Sequence, residues 1–526
     1  MRSPYLKINI RTFLLFGFLI LTWIAYADGV IHNGTTMKVH SGTFFIESGN
    51  RTVQNNALFD IWGCSTINGI LVNSGDYQSI IIESDVNGTG SLIYNSGNPD
   101  LTVERYLNDA KWHMISPSTN NVLTGQYFFN NSPTVWLKDY NEADDTYNYI
   151  TSLTLGMPRG KGYAFWVGES KTNVVIEIHG QASPTEFTLN SSSSPALEFT
   201  NSSHGYNLIG NPFTSAIDWD NPNWTMSNME ESIWVWDPST GNFKTRNSSQ
   251  IGDMPNGIIP SSQGFFIRAT SSTASITVPT EAKLHNSQAL YKTQSSTLND
   301  LSYIVIQVYE VGLDSVTDQV WVGFHENASN DFDNGLDISK LMGDATSPQL
   351  YLQEDRHLYT ADLLPELHGE AKTVALKFRA PHTNNYILDV KKIENLDGVQ
   401  IFIEDLIEDT YTNIKEQNKI KFSADKQDSD NRFVIHFNPA LTLNNNINIQ
   451  DPLIYSNKKS IYLSLNKPWS NKNKTVSIYD VTGRLLLIKN LTASSFYKIP
   501  TSIQPQTVII KLQFEDRSFT KKLMLR

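Results

Sequence analysis

The sequence predicts an all-β, multidomain chain of β-solenoid-like and β-sandwich modules, closed by a C-terminal immunoglobulin-like β-sandwich. Three observations carry that prediction. The chain has 526 residues, too many for one hydrophobic core, so several domains are expected. It holds 25 Phe, 22 Tyr, 11 Trp and 30 Gly, a composition that favours strands joined by turns. Its hydrophobic content of 40% with 18% charged residues is that of folded protein, since a disordered chain would carry far fewer apolar side chains.

The first 27 residues read as a signal peptide. Arg2, Lys7 and Arg11 make a positive start, Phe13 to Ile24 is an uncharged, mostly apolar run, and Ala25-Tyr26-Ala27 fits the small-x-small cleavage rule, leaving Asp28 as the mature start. The run is shorter than the roughly 20 residues that span a bilayer. No second such run follows, so no transmembrane helix is expected in the mature chain.

Residues 28–100 are punctuated by Gly and Asn between short apolar runs such as Thr43-Phe44-Phe45-Ile46, Ile70-Leu71-Val72 and Ile80-Ile81-Ile82. That is the pattern of short stacked strands, a β-solenoid-like region. Residues 101–190 and 191–285 read as two copies of one β module. Trp112 to Pro117 matches Tyr206 to Pro212, Val135 to Tyr140 matches Ile233 to Pro238, and Lys161 to Val167 matches Gln263 to Ile267. The offsets are 94, 98 and 102 residues, in constant order. Ser191 to Pro195 reads as a linker or long loop between them, and a second Ser/Thr-rich stretch, Thr293 to Thr297, precedes a new domain. Residues 300–445 carry strand runs, among them Tyr303 to Tyr309 and Gln319 to Phe324, spaced as in an antiparallel sandwich. In 452–526, Val476 to Val481, the turn Thr482-Gly483-Arg484 and Leu485 to Ile488 read as a hairpin.

Charge separates this last segment from the rest. It holds 13 Lys and Arg against 3 Asp and Glu, a balance of +10, so the remainder of a chain of net charge −12 carries −22. Such a shift suggests a module with its own task, and the acidic total argues against nucleic acid as a partner. A single cysteine, Cys64, allows no internal disulfide and no Cys-x-x-Cys site.

The residues Val476 to Arg484, Val508-Ile509-Ile510-Lys511 and Lys521-Lys522-Leu523 make the final segment resemble the type A sorting domain of the type IX secretion system. Gln506-Thr507-Val508 stands where members of that family usually have Gly-x-Tyr. The resemblance implies export across the outer membrane, with the secretion machinery as partner of residues 452–526, and a place on the bacterial cell surface or outside the cell. The body is similar to large surface and adhesin-type proteins of Gram-negative bacteria. Val103 to Tyr106 with Trp112 to Pro117, then Tyr206 to Phe213, Gln263 to Phe266, and Phe332 to Leu341 carry that likeness.

Catalytic signatures are not found: there is no Gly-x-Ser-x-Gly and no His-Glu-x-x-His. No cofactor is expected apart from calcium, for which Asp331, Asp333 and Asp337 around Gly335 are the candidate ligands, hard oxygens of the type calcium favours. The alternative is that Asp337 caps a helix starting at Ile338. Glu142 to Asp145 reads as a solvated hairpin tip. Trp136, Trp166, Trp234 and Trp236 suit either sugar stacking or the core; Trp136 and Trp234 fall at one repeat position, which favours the core. The expected function is an exported, non-enzymatic, adhesin-like or structural protein with a surface glycan or a host or matrix ligand. The alternatives are a dedicated carbohydrate-binding protein, marked by an exposed aromatic groove, and a secreted hydrolase, marked by paired buried carboxylates.

Overall fold

The computed structural model describes residues 29–107, 111–128, 135–167, 174–254, 256–285, 301–439, 452–457, 459–465, 467–470, 472–514 and 517–525. The signal peptide, Asp28 and the Thr293 to Thr297 stretch lie outside these residues. Within them the protein is all-β, with one helical turn at Lys467–Ser470 as its α-helix.

Between residues 29 and 107 the chain alternates between two parallel sheets. One contains Gly29–His32, Thr52–Asn55, Cys64–Asn73 and Ser91–Ser96, with Phe44–Glu47 also paired to Cys64–Asn73. The other contains Met37–Val39, Phe59–Ile61, Ile80–Ile82 and Asp100–Leu107. Apolar residues at every second position, such as Ile67, Leu71, Ile80, Ile82, Leu101 and Val103, meet between the sheets. This is a two-sided solenoid. Its last rung is the strand Asp100–Leu107, so the boundary expected at residue 100 falls at the start of that strand. Val174–Gln181 then pairs antiparallel with the same rung and ties the next module to it.

The two repeat copies form two four-stranded sheets of identical order. The first runs Trp112–Ile115, Tyr163–Val167, Val135–Asn141, Thr146–Ile150; the second runs Tyr206–Gly210, Gly264–Ala269, Met229–Asp237, Asn242–Asn247. They meet through two bridges, Ile115 with Gln263 and Lys161 with Ile209. In the repeat alignment Ile115 corresponds to Ile209 and Lys161 to Gln263, so the bridges exchange places between copies. Backbone bonds obey the same exchange: the Ser116 N–H donates to the Ser262 carbonyl (3.0 Å) and the Gly210 N–H to the Gly160 carbonyl (2.9 Å). Gly160 and Ser262 both have positive φ, 75° and 58°. The copies are therefore related by an internal pseudo-two-fold axis, like a C2 dimer within one chain. The Ser191 to Pro195 turn follows the strand Phe187–Asn190, which already pairs with Ser275–Val278 of the second copy.

Residues 301–439 form one eleven-stranded sheet that curls around a single core including Ile304, Val322, Leu376, Leu388, Ile401 and Phe437. Its strands pair antiparallel except Leu313–Phe324 with His357–Leu364, which run parallel. The chain between them is long enough for the crossover a parallel pair needs. Residues 452–525 make a separate two-sheet sandwich. Leu453–Asn457, Ser460–Ser464 and Phe496–Pro500 face Leu485–Leu491, Lys474–Asp480, Thr507–Gln513 and Ser518–Met524 across a core that includes Ile461, Val476, Ile478, Ile499, Val508 and Ile510.

Candidate functional site

The hairpins of the two repeats correct the alignment at its second landmark. Asn141 pairs with Thr146 across the first hairpin as Asp237 does with Asn242 across the second. Lys138 pairs with Ala164 as Trp234 does with Phe266. Trp234 therefore corresponds to Lys138 and not to Trp136. The cause is a register shift between Glu230 and Trp234 that lengthens the second copy's strand by two residues. Period two keeps the side chains on the same face, so both tryptophans still obey the alternation that made them look equivalent.

At one end of the first sheet, three tryptophans stand opposite one another on adjacent strands. Trp112 pairs with Trp166, and Trp166 with Trp136. The Trp112 and Trp166 rings meet edge to face with centroids 5.4 Å apart, and Trp136 lies 5.4 Å from Tyr149. Trp136 is 42% exposed, which overturns its assignment to the core, and Tyr149 is also exposed. Lys138 sits in the next row with its Nζ 4.1 Å from the Trp112 ring centroid and 4.5 Å from that of Tyr149, within cation–π range.

By register the corresponding row of the second copy is Tyr206, Arg268 and Glu230, and there the surroundings differ. Glu230 is buried; it accepts from Arg268 Nη1 (3.1 Å) and from the Ser339 N–H and hydroxyl (both 2.8 Å). The Trp234 indole N–H donates to the Ser339 carbonyl (3.0 Å). The sandwich of residues 301–439 thus covers this row, while in the equivalent row of the first copy Trp136 is exposed and Trp112 and Trp166 are half-buried. Trp236 is half-buried and donates to the Trp112 carbonyl.

The acidic candidates are engaged in holding the fold. Asp333 accepts from the Ser329 N–H and hydroxyl, and Asp337 accepts from the Asp333 and Leu363 N–H groups. Asp331 is exposed. Ile338–Ser339 is a strand, so Asp337 caps no helix. Among the described residues no group of three His, Cys, Asp or Glu side chains is arranged to hold a metal ion. Asp337 and Asp362 are both buried carboxyls; burial above all pushes each up to about 7, with Glu354 adding to the rise at Asp362. Glu142 is not at a solvated tip. It is buried and accepts from the Thr200 N–H (2.9 Å) and hydroxyl (2.6 Å) and the Gly205 N–H (2.6 Å), which clamps the first hairpin to the second copy.

A cluster that the sequence did not reveal joins the sandwich to the C-terminal domain. Glu404 accepts from Lys498 Nζ (2.6 Å), His436 Nε2 (2.8 Å) and the Tyr411 hydroxyl (2.9 Å), within a cage that includes Phe402, Tyr462 and Phe496. Burial alone would raise its carboxyl, but the bonds from His436 and Lys498 outweigh burial and hold it down to about 2.

The model of a family described as a domain of unknown function, DUF8693, matches residues 30–437. The chain belongs to this family. The match spans the solenoid, both repeats and the eleven-stranded unit, and it ends before residue 452. No curated protein matches the chain. Solved structures similar to it include a biofilm-associated protein BSP domain, with 9% identity and a TM-score of 0.16 over 81% of this chain and 92% of that one. Another is a tetra-tandem repeat from the extending region of a large adhesion protein, with 8% identity and a TM-score of 0.12 over 85% and 98%.

Proposed function

We propose that the protein is an exported, non-enzymatic, adhesin-like or structural protein of the bacterial cell surface or its surroundings, delivered by type IX secretion through residues 452–526. The observation that carries this reading is the C-terminal sandwich. It has its own core, lies outside the family match and carries the +10 balance. Lys489, Lys521 and Lys522 are exposed on its four-stranded sheet and Arg484 at the turn beside it, where a receptor reads a folded signal by its surface charge. Among the described residues no helix is long and apolar enough to cross a membrane.

The test is deletion of residues 452–526. The truncated protein is expected to accumulate, folded, in the periplasm, while a signal-peptide-bearing fluorescent protein fused to 452–526 crosses the outer membrane of a host with the system. Normal surface levels of the truncated protein would overturn the sorting assignment.

A further inference from the structure

We infer that the aromatic row of the first repeat sheet, with Trp136 and Tyr149 exposed, Lys138 beside them and Trp166 and Trp112 behind, is a binding site for an acidic glycan, a chain of pyranose rings bearing carboxylate or sulfate groups. The inference concerns the ligand and holds whatever the route of export.

The pseudo-two-fold provides an internal comparison. The same row exists twice. In the second copy, Arg268 and Glu230 stand at the tryptophan positions and bond to Ser339 of the neighbouring unit. That row is an occupied docking surface. In the first copy it holds three indoles in register, and Trp136 and Tyr149 remain exposed. Trp136 and Tyr149, with ring centroids 5.4 Å apart, present the exposed aromatic surface, and the half-buried Trp166 and Trp112 back it from the neighbouring strands. Aromatic faces carry partial negative charge, which suits the C–H face of a pyranose ring, and Trp and Tyr lose little conformational freedom on binding.

Charge selects the acidic class. Lys138 forms no ion pair among the described residues, and the neighbouring Asp139 is held by Lys161 at 2.8 Å. The ammonium of Lys138 is therefore an uncompensated cation between two ring faces. The body outside residues 452–526 carries −22, so an anionic chain is repelled from most of it and is drawn to this row.

The test uses the mature full chain and calorimetric titration with oligogalacturonate, oligomannuronate and sulfated oligosaccharides, beside neutral cello-oligosaccharide and anionic phospholipid vesicles. At least one acidic oligosaccharide is expected to bind, more weakly at high salt. Trp136→Ala and Lys138→Gln are each expected to weaken it about tenfold or more, and Trp136→Phe to retain it. Near-ultraviolet circular dichroism of the variants separates loss of binding from loss of fold, and Tyr149→Ala is a second exposed variant should one of them misfold. The carboxylate and sulfate arms identify the source of the negative charge. Binding of no acidic oligosaccharide, equal binding of the neutral one, unchanged affinity in folded variants, or binding of vesicles alone would each overturn the proposal.

Discussion

The two tryptophans that the sequence placed together make opposite demands on the fold. Trp234 is fully buried, packs at the Tyr206 ring and donates to Ser339. Replacing it with Ala opens a large cavity and leaves a buried carbonyl without its donor, so Trp234→Ala is expected to cost about 3–5 kcal/mol. Trp136→Ala is expected to cost less than about 1 kcal/mol. Urea denaturation of the two variants side by side measures the difference. A second contrast lies in the buried carboxyls. Asp337 and Asp362 are raised to about 7, so the folded state favours their protonated forms. Stability from this source is complete below pH 4 and is lost as pH rises from about 4 to about 7. Asp362→Asn keeps the shape without the charge. It is expected to stabilise the protein by about 2 kcal/mol at pH 8, to change little at pH 4, and to flatten the stability profile between them. Denaturation midpoints at the two pH values check this.

At the scale of elements, the joint between the sandwich and the C-terminal domain depends on Glu404. Its strand, Val399–Asp405, pairs with Phe433–Pro439, which carries His436, and Phe496–Pro500 of the other domain brings Lys498 to the same carboxylate. A Gln at 404 would leave Lys498 and His436 facing an uncharged group in an enclosed site. Breaking a buried pair in this way costs about 3–5 kcal/mol, and here the loss falls on the joint. Glu404→Gln is expected to raise hydrogen exchange at Tyr462 and Phe496 while leaving the distant Val476 and Ile478 protected. The same bonds hold the carboxyl at about 2, so the joint should be firm above about pH 4.5 and weaken as pH falls toward 2. None of this was legible in the sequence, because the three groups are up to 94 residues apart and nothing local marks them. The hairpin Lys474–Asp480 and Leu485–Leu491 was legible, because alternation sets its faces and Gly483, at φ 87°, permits its turn. The duplication was legible because Gly162 and Gly264 each lie against the first strand of the other copy, at Leu208 and at Met114 and Ile115, where a side chain would collide at 162 and crowd the backbone at 264. The two-residue shift before Trp234 was not, since a shift of two preserves every face. The solenoid was read from its apolar triplets, but the strand Asp100–Leu107 was assigned to the following module because its pairing with Ile80–Ile82 depends on the stacking and not on local pattern.

For the whole molecule, shared cores decide which parts unfold together. Met114 and Ala164 of the first repeat, Leu208, Trp234 and Phe266 of the second, and Tyr303, Val305 and Leu363 of the eleven-stranded unit belong to one buried cluster. Glu142 ties the repeats further, and buried Lys340 and Asp318, 2.5 Å apart, stand beside the second repeat's Asn242, which donates to the Thr317 carbonyl. None of these units can separate without exposing a large apolar face to water. The C-terminal sandwich is different: its own core is closed, and it shares with its neighbour the small cluster around Glu404. Differential scanning calorimetry of the mature chain should therefore show two principal transitions, one for the residues that the family model spans and one for 452–526. Deleting 452–526 is expected to remove its transition and to leave the larger one nearly in place, because the apolar cluster shared across the joint, with Phe402 and Tyr411 on the near side, is small beside the core of the eleven-stranded unit. Residues 191–285 hold a core of their own around Ile209, Ile233 and Phe265, but expressed alone they would leave Trp234, Leu208 and Phe266 facing solvent, so their transition is expected well below that of the family-spanning residues. A transition at the temperature of the larger one would mean that the internal two-fold joins two independently stable folds.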